Sequence, residues 1–308
     1  MSTAPGTVTA PAGLAFALWQ DASLRVTWRG RELFRYVYRV REPRVESPRP
    51  YLHPIRTLGG RLVSLYRPHD HLWHKGLSLA LPNAGPDNFW GGPTFRRDRG
   101  GYVQLPNNGT QRHECFEELG AGDRTLRVVQ RLCWLTQDGR EAFTERRGLT
   151  VTVLPHRSAW RLELDTELRN AGRGAVDIGS PQTEGRAGAG YGGLCWRGPR
   201  GFTGGRVRTP DAAGGDDLNG VRAPWLAFIG RHDGDGGAST VLFADDPANA
   251  GHPTAWFVRS AAYAVVGPAP FADAPVRLEA GGRLRLRYGI VFADGELGED
   301  ECATLARA

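Results

Sequence analysis

Trp160-Arg161-Leu162-Glu163-Leu164-Asp165-Thr166-Glu167-Leu168 alternates large apolar side chains with charged ones at a period of two. In an extended chain successive side chains point to opposite faces, so this stretch forms one apolar and one charged face. On a helix the same charges would scatter around the axis, so the stretch reads as a half-buried strand. Leu284-Arg285-Leu286-Arg287-Tyr288-Gly289-Ile290 repeats the pattern, and Leu24-Arg25-Val26-Thr27-Trp28 gives it in miniature. Leu126 to Leu135 and Leu149 to Leu154 are further β-rich runs. Turn chemistry lies between them at Asp138-Gly139, Asn170-Ala171-Gly172 and Gly281-Gly282. One helix is expected, around Glu296 to Ala306, and Gly298 weakens it.

The composition agrees with strands. With 42 Gly and 21 Pro among 308 residues, helix interiors would be interrupted too often for an all-α chain. The fold class expected is all-β, a large antiparallel β-sandwich with few short helices. Residues 1–13, rich in Thr, Ala and Pro, read as a flexible leader, and 14–308 as one sandwich domain. No apolar run approaches 18 residues, so no membrane-spanning helix is expected. The net charge of +6 does not argue for nucleic acid. Lys75 is the only lysine among 39 Lys and Arg residues, and the arginines are dispersed without a basic block or a recognised motif. Cys115, Cys133, Cys195 and Cys302 form no close pair, so buried thiols in a reducing cytoplasm are expected instead of a disulfide framework.

Histidine is concentrated in one place. Of eight, His53, His69, His71 and His74 fall within a short stretch, and His69-Asp70-His71-Leu72-Trp73-His74-Lys75-Gly76 adds a carboxylate. Imidazole titrates near neutrality and can carry protons or bind metal. If the segment were a strand, His69 and His71 would share a face, and a turn would bring His74 beside them. Asn88 and Trp90, in the Pro/Gly-rich loop after Asn83, suit sugar hydroxyls and a sugar's apolar face. Glu184 is a candidate general base, and Arg197 an anion or carbonyl anchor. His252 to Phe257 is another aromatic loop. Glu145 and Arg147 share one face of an expected strand and are weaker candidates, with a simple cross-sheet ion pair as the alternative. No nucleophile elbow, phosphate loop or dinucleotide fingerprint is present.

Several segments, taken in order, resemble the bacterial PmoA-like family of unknown function, often labelled methane oxygenase. They are Arg49-Pro50-Tyr51-Leu52-His53-Pro54, the Asp70-His71-x-x-His74-x-Gly76 core, Asn88-Phe89-Trp90, Gly190 to Arg197, and Trp256-Phe257-Val258-Arg259. The resemblance runs from about residue 14 to 295 and implies a galactose-mutarotase-like supersandwich. The oxygenase label is not expected to describe an activity, since a membrane-bound oxygenase subunit would need transmembrane helices. Leu72 stands where the family pattern suggests proline, and Lys75 where a further histidine is common.

The leading expectation is a cytoplasmic protein that binds or acts on a carbohydrate or sugar-derived carbonyl compound. His71, His74 and Glu184 would carry acid–base chemistry of the mutarotase, epimerase or lyase kind. His53, His69, Asp70, Asn88, Trp90, Tyr191, Arg197 and Trp256 would contact the substrate. No cofactor is expected. Two alternatives stay open: a non-catalytic carbohydrate-binding module, and a divalent-metal lyase or isomerase using His69, Asp70, His71 and His74.

Overall fold

A computed structural model of the chain describes residues 13–307. The expected leader falls almost wholly outside these residues. Strand Ala159–Asn170 lies inside a nine-stranded antiparallel sheet, between Glu141–Leu154 and Arg283–Asp294. Trp160, Leu162, Leu164, Thr166 and Leu168 are buried along it, while the charged residues between them alternate outward. Those outward charges pair across strands, Asp165 with Arg285 and Glu167 with Arg283. Such half-exposed pairs contribute little to stability; the apolar face holds the strand.

Against this sheet packs an eight-stranded one, in the order Leu14–Trp19, Ser23–Trp28, Arg31–Val37, Tyr51–Ile55, Leu77–Ala80, Gly193–Arg197, Val265–Pro268, Trp256–Arg259. The shared core is rich in aromatics. Trp160 stacks on Phe34 at 5.3 Å and on Phe292 at 4.4 Å, and Trp196 meets Phe228 at 5.4 Å. The all-β sandwich read from the period-two segments is the fold the chain forms. The helix is Glu299–Arg307, starting later than expected: Gly298 precedes it, and its carbonyl takes the first helical N–H, that of Cys302, at 3.0 Å. The Gly298 N–H donates to the Glu301 carboxylate at 3.0 Å, half of a capping box. Cys302 and Leu305 seat the helix on the outer face of the nine-stranded sheet. Cys133, Cys195 and Cys302 are buried free thiols, but Cys115 is exposed. Among the described residues no helix is long and apolar enough to cross a membrane.

Alternation in the eight-stranded sheet decides what faces the functional site. Leu194 and Trp196 join the inter-sheet core, whereas Cys195 turns to the sheet's other face with Ala80, Val265 and Phe257. Arg197 follows the same parity as Cys195 and is 1% exposed. On that outer face the loops between strands gather.

Candidate functional site

The histidine segment is not a strand. Tyr66 and Lys75 pair as an antiparallel bridge, and two successive turns lie between them, closed by His71 N–H to the Pro68 carbonyl and His74 N–H to the His71 carbonyl, each 2.9 Å. The second turn sets His71 and His74 three residues apart on one side, and their rings stack at 4.7 Å. His69 goes elsewhere, to the rim, where Arg200 donates to its Nδ1 at 3.0 Å.

The two stacked imidazoles have opposite partners. His71 Nδ1–H donates to Asp70 at 3.0 Å, which leaves Nε2 as a proton acceptor. His74 Nδ1 receives a hydrogen bond from Arg197 at 3.1 Å. Arginine only donates, so His74 carries its proton on Nε2. Burial holds His74 well below the usual histidine range, and the neighbouring His71, Arg197 and Arg49 act in the same direction. It is a neutral imidazole with an Nε2–H to offer. Burial would raise the Asp70 carboxyl, but the hydrogen bond with His71, its own backbone N–H and the Arg197 charge outweigh it and hold Asp70 well below the usual carboxylate range. Arg197 lies 4.1 Å over the Tyr263 ring and approaches Asp70 at 3.4 Å.

Beneath these loops a second arginine ties the segments together. Arg49, 2% exposed, donates to the carbonyls of Trp73 at 2.7 Å and Trp90 at 2.8 Å, and to Ser78 at 3.1 Å. Burial lowers it to about 10, so it stays a cation at neutral pH. Lys75 is also buried, paired with Glu42 and Glu46, and Glu46 takes Arg67 at 2.7 and 2.9 Å. The lysine that replaces an expected histidine therefore builds the loop's foundation and does not enter the site.

Above the histidines opens a cavity of about 250 Å³ whose walls include Trp73, Trp90, Tyr191, Phe257 and Tyr263. Trp90 packs at 4.6 Å on Tyr191, whose hydroxyl meets that of Tyr102 at 2.8 Å. Burial raises Tyr191 and Tyr263 above the ordinary phenol value, so both remain O–H donors.

A family model described as a family of unknown function, DUF6807, matches residues 23–307. The chain belongs to DUF6807. The match agrees with the unknown-function family expected from the motifs and carries no PmoA label. No curated protein matches the chain. Similar solved structures include a GH36 α-galactosidase from Geobacillus stearothermophilus in complex with 1-deoxygalactonojirimycin, at 10% identity and TM-score 0.38, covering 93% of this chain and 40% of that one. Others are an α-galactosidase from Lactobacillus brevis (7% identity, TM-score 0.37, 92% and 38% covered) and a putative aldose 1-epimerase from Klebsiella pneumoniae (8% identity, TM-score 0.28, 59% and 54% covered). The chain spans about two fifths of the length of the α-galactosidase chains.

Of the residues singled out in the sequence, His71, His74, Trp90 and Tyr191 line the cavity of this DUF6807 chain, with Asp70 and Arg197 directly behind them. Others are placed differently. The Asn88 side chain is consumed by its own loop, accepting from the N–H groups of Trp90 and Gly91 and donating to Gly92 and Thr94. Glu184 is not among the cavity walls, and it is its backbone carbonyl that takes Arg97. Trp256 is fully buried between the sheets, its Nε1–H on the Ala223 carbonyl at 2.8 Å. His53 lies on Ser64 and Tyr66, outside the cavity walls. Of the residues in the metal alternative, the Nδ1 atoms of His69, His71 and His74 go to Arg200, Asp70 and Arg197 in turn. Among the described residues no group of three or more His, Cys, Asp or Glu side chains is arranged to hold a metal.

Tyr263, Phe257, Arg259, Arg186 and Tyr102 complete the walls and were not among the expected contacts. One signal for two of them was available. In Trp256-Phe257-Val258-Arg259 an arginine belongs on the solvent side of a strand, so Phe257 shares its face and Trp256 goes inward. Tyr263 had no such signal, because its place depends on where Arg197 emerges from another strand.

Proposed function

We propose that the cavity binds a monosaccharide-sized carbohydrate or sugar-derived carbonyl compound and moves a proton on it. The volume lies just under the range of about 300–1,000 Å³ typical of drug-sized ligands, which suits one sugar ring. Indole and phenyl walls suit its C–H faces, and protonated phenols its hydroxyls.

The observation that carries the chemistry is the stacked histidine pair with opposed Nδ1 partners. His71, oriented by Asp70, accepts a proton from a hydroxyl or from a carbon beside a carbonyl. His74 donates its Nε2–H hydrogen bond to the oxygen on which negative charge develops, a task for which a neutral imidazole is suited. Mutarotation, epimerisation and elimination beside a carbonyl all need this pair. Arg197 fixes the His74 tautomer, and Asp70 fixes that of His71. In this assignment the base is His71, where the sequence suggested Glu184.

The test is a screen of reducing sugars and their oxidised derivatives by proton NMR, following anomeric exchange and solvent deuterium uptake. His71→Asn is expected to slow turnover by about 10²-fold or more while retaining binding. Neither binding nor turnover across both classes, or turnover unmoved by His71→Asn, would overturn the proposal. Binding without turnover, lost in Trp90→Ala, would make the chain a carbohydrate-binding module instead.

A further inference from the structure

Two arginines stand in the cavity wall with no acidic partner. Arg259 lies 4.6 Å over the Phe257 ring and donates to the backbone carbonyls of Val258 and Gly188, each at 2.7 Å. Arg186 lies 4.7 Å over the Tyr102 ring and meets its hydroxyl. Neither forms a salt bridge among the described residues, whereas Arg197 and Arg200 share Asp70. No aspartate or glutamate is among the cavity walls. The phenols do not offset the charge, because burial keeps Tyr191 and Tyr263 protonated.

Two guanidinium groups facing a partly enclosed, aromatic-lined space carry positive potential that nothing in the walls cancels. Each keeps N–H donors free beyond those used on carbonyls and phenol, and the planar fork matches a carboxylate. We infer that the cavity takes a monosaccharide bearing a carboxylate, a uronic or aldonic acid, held by Arg186 and Arg259. This rests on the carbohydrate reading above and narrows it to an acidic substrate class. Two backbone carbonyls and the Phe257 ring hold Arg259, and the Tyr102 ring and hydroxyl hold Arg186, without neutralising either, an arrangement that preorganises a site for an anion.

The experiment is a calorimetric titration of the intact protein with galacturonate, glucuronate, galactose, glucose and glucose 6-phosphate, with Trp73 and Trp90 fluorescence as a second readout. At least one sugar acid is expected to bind about tenfold or more tighter than its neutral parent, the scale of one charge-assisted hydrogen bond. That preference should shrink as salt is raised. Arg186→Gln, at an exposed position, and Arg186→Gln/Arg259→Gln should each reduce the acid-to-neutral ratio, the double variant to about one. Urea midpoints of both variants separate this from misfolding. Neutral sugars binding as well as the acids, an acid preference that survives the double variant, or glucose 6-phosphate outcompeting the uronates would overturn this inference alone. Absence of binding by every sugar would instead overturn the carbohydrate reading on which it rests.

Discussion

Replacing Lys75 by methionine tests how the histidine loop is held. The ammonium is fully buried between the Glu42 and Glu46 carboxylates, whose side chains are 7% and 2% exposed. Removing it does not leave the two acids equal. Glu46 keeps the two-point contact from Arg67, but Glu42 keeps only the Tyr66 hydroxyl at 2.5 Å. One carboxylate is therefore stranded without a cation, a loss of about 3–5 kcal/mol when a buried pair is broken from one side. The double variant Lys75→Met/Glu42→Gln removes the stranded charge and should return to within about 1–2 kcal/mol of the parent. Chemical denaturation followed by tryptophan fluorescence measures both. Because Lys75 is the only lysine, acylation of its ε-amine supplies an independent reading: the native chain should be protected, with labelling appearing as the loop opens. A single variant within about 1 kcal/mol of the parent would refute the charge cluster as the loop's foundation.

Acid should weaken the fold before its carboxylates titrate. Burial pushes His53 down to about 4, with Arg56 and Arg35 adding to it, and His74 lies well below its ordinary value. Both are neutral when folded and take up protons more readily when unfolded. Their contribution is thus intact above about pH 6.5 and falls as pH drops below it, by about 1.4 kcal/mol per pH unit for each histidine. Urea midpoints at pH 7.5, 6 and 5 should decline in that order, and a flat profile would count against neutral burial. Asn88→Ala should cost about 2–3 kcal/mol and disturb Trp90 emission, since four hydrogen bonds within the loop are lost. Glu184→Gln should leave turnover and ligand affinity unchanged in the same sugar screen; a large loss would restore the glutamate to the site.

Much of the fold was legible because long strands advertise themselves. Trp160 to Leu168 shows its two faces residue by residue, and the structure extends that reading by only a residue or two at each end. The site was partly legible, for the same local reason. Asp70, His71 and His74 lie within one short turn-rich loop, so sequence proximity and spatial proximity coincide. Glu184 and Trp256 show where that logic stops. Side-chain chemistry nominated the glutamate, but the loop's path sends its neighbour Arg186 to the cavity instead. The indole of Trp256 attracted notice by size, and size is what drew it into the core. The opposed hydrogen bonds of His71 and His74 were not readable at all. They depend on Arg197, a strand 123 residues further along, arriving at the His74 Nδ1 atom.

Histidine side-chain nitrogen NMR, recorded during titration with galacturonate, addresses that pair most directly. Free His74 is expected to be a neutral Nε2–H tautomer and His71 to have its proton on Nδ1, and the Nε2 signals of both should shift together as ligand binds. A His74 proton on Nδ1, or ligand binding that leaves both Nε2 signals in place, would contradict this assignment.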